Sequence, residues 1–149
     1  MNNFQKKDIE TREDVLAIVR SFYSKVRDEK TLGPIFNQMI QNWEEHFETL
    51  TDFWETNLFG YIKYKGNPIA VHRQVDRSFQ EKITDKHFGI WLNLWFATLD
   101  ELHTGERVEI TKRRARKMAT HLMIRIHEDR VSQKTICPFL KDENKNLFK

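Results

Sequence analysis

Two histidines, a tyrosine and a tryptophan stand where their side chains could do chemistry. His46 shares a helical sector with Leu50, Phe53 and Asn57, which turns its imidazole towards an apolar interior. His72 follows Pro68-Ile69-Ala70-Val71 on a short segment between polar stretches, where packing gives little reason for an imidazole. Tyr23 and Trp91 fall on the inward faces of their own helical patterns, and each carries one donor on a large apolar body. Singly, each has a plainer reading: a core-edge histidine with one hydrogen bond, a partly exposed surface histidine, two core aromatics bonded to backbone carbonyls. Together they suit iron. Neutral imidazole ligates it, and one histidine can hold a haem iron while donors across from it stabilise negative charge gained by a diatomic ligand. That chemistry needs an apolar slot. The 11 Phe, 4 Trp and 3 Tyr in 149 residues either fill a bulky core or line a cavity for a flat ligand, and composition leaves both open.

The elements that must position these groups read as helices. Only 5 Gly and 3 Pro is too few for the turns of an all-β domain. Thr11 with Asp14 forms a capping-box pattern ahead of Val15, Ile18, Val19, Phe22, Tyr23 and Val26, which fall at helical spacing. Leu32-Gly33-Pro34 stops that helix, and Pro34 can open a short helical turn. Asn42 caps a second long helix carrying Trp43, His46, Phe47, Leu50, Phe53, Trp54 and Leu58, which ends at Gly60. Pro68 to about Gln74 reads as a short helix bearing His72. Thr84 caps a helix with Phe88, Trp91, Leu92, Trp95, Phe96, Leu99 and Leu102 inward, and Thr104-Gly105 breaks it. A last helix runs from Glu106 to about Glu128 with Val108, Ala115, Met118, Ala119, Leu122 and Ile126 inward. The expectation is an N-terminal extension over 1–10, one all-α domain over 11–128 and a polar tail over 129–149.

Other chemistries find little footing. The single cysteine, Cys137, excludes a disulfide framework, Cys-rich zinc sites, iron–sulfur clusters and thioether haem attachment. There is no His-Glu-x-x-His, Gly-rich phosphate loop or nucleophile elbow. No apolar run approaches the roughly 20 residues of a membrane span, and the N-terminus lacks the apolar stretch of a secretory signal. A cytoplasmic protein without membrane partners is expected. The net charge of +3 is mild. The basic run Lys112-Arg113-Arg114 with Arg116-Lys117 reads as a solvated face, with Glu109 four residues before Arg113 to pair with it, rather than a nucleic-acid surface.

At this level of detail the chain resembles the truncated haemoglobins, group III. The residues that carry the resemblance are Phe22-Tyr23-Ser24-Lys25-Val26-Arg27 with Leu32-Gly33-Pro34-Ile35-Phe36, Trp43-Glu44-Glu45-His46 with Leu50, Phe53 and Trp54, and Asn67-Pro68-Ile69-Ala70-Val71-His72. His87-Phe88-Gly89-Ile90-Trp91-Leu92 with Trp95, Leu99-Asp100-Glu101 and Arg113-Arg114-Ala115 complete it, over about residues 11 to 127. The resemblance implies a shortened globin, a two-over-two helical sandwich around one non-covalent haem b. It implies His72 as proximal iron ligand, and Tyr23, His46 and Trp91 on the distal side with Leu50 packed nearby. Phe36, Phe53, Trp54, Phe88, Met118 and Leu122 are expected to line the cofactor. The charged stretch from Arg73 to Lys82 departs from the family pattern, which leaves any propionate partner among Lys63, Arg73 and Arg77 open.

Three functions follow from these residues. The first is a haem protein that binds oxygen, nitric oxide, carbon monoxide or a similar ligand, as in oxygen transport, at five- or six-coordinate iron. The second is a haem enzyme, a nitric oxide dioxygenase serving nitric oxide detoxification or a peroxidase-like catalyst. It needs a separate reductase, because the chain has no flavin motif. The third is a haem-free helical interaction module whose aromatics are only core.

Overall fold

The computed structural model describes residues 5–60 and 83–135, with side chains to residue 128. Five helices are present among them: α1 (Arg12–Asp28), α2 (Gly33–Met39), α3 (Trp43–Phe59), α4 (Asp85–Leu102) and α5 (Glu106–Thr135). No strand occurs among the described residues. The segment expected to carry His72, and with it Lys63, Arg73 and Arg77, lies outside the described residues, as does Cys137.

Helices α1, α3 and α4 start at local caps. The Thr11 hydroxyl accepts from the Asp14 N–H while the Asp14 carboxylate accepts from the Thr11 N–H, so the expected capping box forms. The Asn42 side chain accepts from the Glu45 N–H, with Glu44 and Glu45 in the positive first turn of α3. At α4 the Thr84 N–H donates to His87 Nδ1 at 2.9 Å, which gives that imidazole a capping role.

The last helix is capped from far away in sequence. The Asp8 carboxylate accepts from the N–H groups of Arg107 and Val108 at 2.9 and 3.2 Å, and Thr104 N–H donates to the Lys7 carbonyl at 3.0 Å. Gly105, at φ +143°, lets this happen: a Cβ there would lie 2.5 Å from Asp8 Cγ. Asp8→Ala should therefore cost about 1–2 kcal/mol, the usual worth of a cap. In thermal unfolding this is a melting point lower by roughly 5 °C. An unchanged melting point would show the cap to be idle.

α5 continues seven residues past the Glu128 limit that its apolar pattern suggests. Nothing in Asp129-Arg-Val-Ser-Gln-Lys-Thr135 breaks a helix once begun, since adding a residue to an existing helix is easier than nucleating one. Cys137, ahead of Pro138, is the first position at which the helical conformation is sterically disfavoured.

α1 is central and packs against both α3 and α4, while α5 packs on α4. Its buried face is Val15, Ile18, Val19, Phe22, Tyr23 and Val26, the six positions of the sequence pattern. Trp54, Trp95, Leu99, Val108 and Ala115 join this core, and Phe88, Ala119, Leu122 and Ile126 form a second cluster that Met118 and Leu92 connect to the first. Three threonines unmarked by the apolar pattern, Thr51, Thr98 and Thr111, are also buried; each hydroxyl donates to the carbonyl four residues back. Outside the core, Arg12 reaches three successive turns of α3, pairing with Glu48, with Asp52 at 2.7 Å and with Glu55 at 3.0 Å. The basic face of α5 is solvated as expected, but its pairing differs. Glu109 meets Lys112 at 3.6 Å instead of Arg113, and Lys112 also reaches Asp100 on α4.

Candidate functional site

α1 and α3 cross so that Tyr23 and His46 meet. Their rings stand edge to face with centroids 4.9 Å apart, Tyr23 wholly buried and His46 half-buried. The crossing is dictated by sequence: Tyr23 belongs to the buried face of α1, and His46 occupies the first turns of α3, one residue before the buried Phe47. Leu50, one turn on, is half-buried against the same core. Trp91 does not touch Tyr23. Phe22 stands between them, 4.9 Å from Tyr23 and 5.6 Å from Trp91, both edge-on. The three expected distal donors are thus one contacting pair and a third group one ring away.

Burial pushes the Tyr23 phenol pKa well above its ordinary value, so the group remains an O–H donor at any physiological pH. Desolvation is the cause of that shift. Trp95 carries a buried donor as well, and its Nε1–H has no acceptor among the described residues. A buried donor left without an acceptor costs about 1–3 kcal/mol, which a folded chain seldom tolerates without a reason.

The lining expected from sequence is distributed around these groups. Phe36 on α2 packs edge-on against Tyr23 at 5.7 Å. Phe53 is half-buried beside Trp54 at 5.2 Å, and Trp54 is buried and stacked on Trp95 at 5.1 Å. Trp95 in turn stacks on Trp91 at 6.1 Å. Phe88 and Leu122 lie in the second cluster, with Met118 between the two. Clustered aromatic rings beside a buried indole N–H that has no acceptor among the described residues suit a flat apolar cofactor that carries a polar ligand. Among the described residues no group of three or more His, Cys, Asp or Glu side chains is placed to hold a metal ion.

Sequence reasoning missed Trp43 and Phe47 as neighbours of the donors. Both contact Tyr23, at 5.5 and 5.9 Å, and Trp43 also meets His46 at 5.9 Å. Their positions three before and one after His46 put them on the adjoining helical face, which is the signal that could have found them. Phe22 and Trp95 were legible only as core positions.

No family model matches the sequence. The chain is 33% identical over 114 residues to a curated protein of Campylobacter jejuni subsp. jejuni serotype O:2 named "Group 3 truncated hemoglobin ctb", a match covering 74% of this chain and 86% of that relative. Among solved structures it is similar to the crystal structure of the group III truncated hemoglobin from Campylobacter jejuni, with a TM-score of 0.73 and 29% identity over 82% of this chain and 95% of the other.

Proposed function

This chain belongs to the group III truncated haemoglobins, and from that premise we propose that it binds oxygen or another diatomic ligand at a haem b held by His72. Tyr23, His46, Trp91 and Leu50 form the distal side in this reading, and Phe36, Phe53, Trp54, Phe88, Met118 and Leu122 line the cofactor. The observation that carries it is the Tyr23–His46 pair, a buried phenol whose ring stands 4.9 Å from an imidazole. When bound, the haem supplies an iron that takes up a diatomic ligand reversibly.

The chain's own residues do the rest. The phenol, held as O–H by burial, offers a hydrogen bond to whatever negative charge develops beside it. His46, half-buried, supplies a second polar group on the same side. The apolar rings exclude water, which raises the strength of both interactions. A spectrum of the reduced protein after haem addition, with and without carbon monoxide, tests this directly. A Soret band that shifts with carbon monoxide is expected, and a colourless protein would favour the haem-free helical module.

Tyr23→Phe removes one hydroxyl from a site that needs no folding contribution from it. Oxygen dissociation should speed up roughly ten-fold, the equivalent of one hydrogen bond of about 1.4 kcal/mol, with little change in melting point. An unchanged dissociation rate would take Tyr23 out of the distal network.

The Tyr23 phenol, its pKa raised by burial, also suits an enzymatic reading, conversion of nitric oxide and oxygen to nitrate, in which a donor stabilises charge on oxygen. Electrons would come from a separate reductase. Nitric oxide consumption no faster than that of free haem, with a reductase supplied, would eliminate it.

A further inference from the structure

On the outer side of the Tyr23–His46 pair lies an open recess of about 570 Å³ between α1, α2 and α3, lined by Arg20, Ser24, Arg27, Asn37, Trp43 and Phe47 among others. Its floor is one ring thick at this point. Trp43 and Phe47 face the recess, and the same two rings contact Tyr23, with Trp43 also against His46. The two floor rings are held differently. Phe47 is buried in the core, and the Arg20 guanidinium above it, 5.2 Å away, is fixed by both Glu44 oxygens at 2.7 and 2.9 Å. Trp43 is only half-buried and sits at the first position of α3. Over it, 4.4 Å from the ring centroid, lies the Arg27 guanidinium. Arg27 has no ion pair among the described residues; a 3.3 Å hydrogen bond from its Nε to Asn37 Oδ1 is its side-chain tether.

We infer that Arg27 sets ligand access to the distal pair: stacked on the Trp43 indole, it holds closed the looser of the two rings that separate the open recess from Tyr23 and His46. The inference rests on the haem reading above, because it concerns the route by which a gas reaches that side. The small free energy of an exposed guanidinium–indole stack makes Trp43 a door that opens often but is closed most of the time.

The test uses the full chain loaded with haem, reduced, and probed by carbon monoxide rebinding after flash photolysis. Arg27→Leu keeps the aliphatic cover and removes the cation; the association rate is expected to rise roughly two- to five-fold, the factor by which losing such a stack frees the ring. Arg27→Lys, which retains a cation, should lie between that variant and the unaltered protein. A second readout is independent of ligand binding. Before haem is added, acrylamide quenching of the Trp43 emission, taken as the difference from Trp43→Phe, should increase in Arg27→Leu. A Soret band with an unchanged association rate, or unchanged quenching, overturns the role of Arg27 alone. Absence of a Soret band in the unaltered protein overturns the haem reading and this inference together.

Discussion

Haem uptake is expected to collapse when His72 is replaced by alanine, by at least ten-fold in affinity, whereas His46→Ala keeps the cofactor. The argument is one of directionality. Apolar burial of a flat group is spread over many rings and tolerates the loss of any one contact, but in the proposed reading the imidazole–iron bond is a single directional link. Each 1.4 kcal/mol of lost ligation is a factor of ten in affinity. Titrating haem into each variant and following the Soret band measures the difference. His46 is packed on Tyr23 and Trp43 and serves the opposite side in this reading, so its removal should alter ligand rates and not retention. Loss of haem from His46→Ala with retention in His72→Ala would reverse the two faces.

Trp95→Ala is expected to be the most destabilising single change in the described core. The indole is 2% exposed and stands between three other rings: stacked on Trp54 and Trp91, and edge-on to Phe22 at 4.9 Å. Emptying such a position costs about 3–5 kcal/mol, because three large rings cannot collapse into the gap together. For a chain of this length that is a melting point lower by roughly 10 °C. Trp95→Phe is the informative partner. It retains most of the stacking area and deletes the buried N–H, whose lack of an acceptor is itself worth about 1–3 kcal/mol against the fold. Its loss should therefore be small. Equal losses in the two variants would mean that the indole N–H is hydrogen-bonded in the working protein.

Most of the helical layout was legible because caps and periodicity are local. Thr11 with Asp14, Asn42, Gly60 and Thr84 mark helix ends through groups within four residues of the N–H or carbonyl they serve. The buried face of α1 follows from 3.6-residue periodicity for the same reason. What escaped was non-local. Residues 5–10 read as an extension without pattern, yet Asp8 caps a helix that begins nearly a hundred residues later. Glu109 was matched to Arg113 by spacing alone, while Asp100 across the helix pair draws Lys112 into the ion pairs instead. α5 outran its apolar stripe because continuation of a helix needs only the absence of breakers.

The site divides along the same line. That Tyr23, His46 and Trp91 face inward could be read from periodicity; that Phe22 stands between Tyr23 and Trp91 could not, since periodicity gives a face and not a neighbour. Trp95 was visible as a core residue, but whether its N–H meets an acceptor depends on all the surrounding backbone at once. The roles assigned to His72 and the distal residues come from family likeness and the chemistry of the side chains.

The three carboxylates that Arg12 gathers have a mechanical meaning for His46. Glu48, Asp52 and Glu55 lie on successive turns of α3, so one guanidinium on α1 resists axial sliding of that helix. Repositioning of the imidazole is then easier by torsion about its own side-chain bonds, or by unwinding of the turn ahead of Phe47, than by travel of the whole rod.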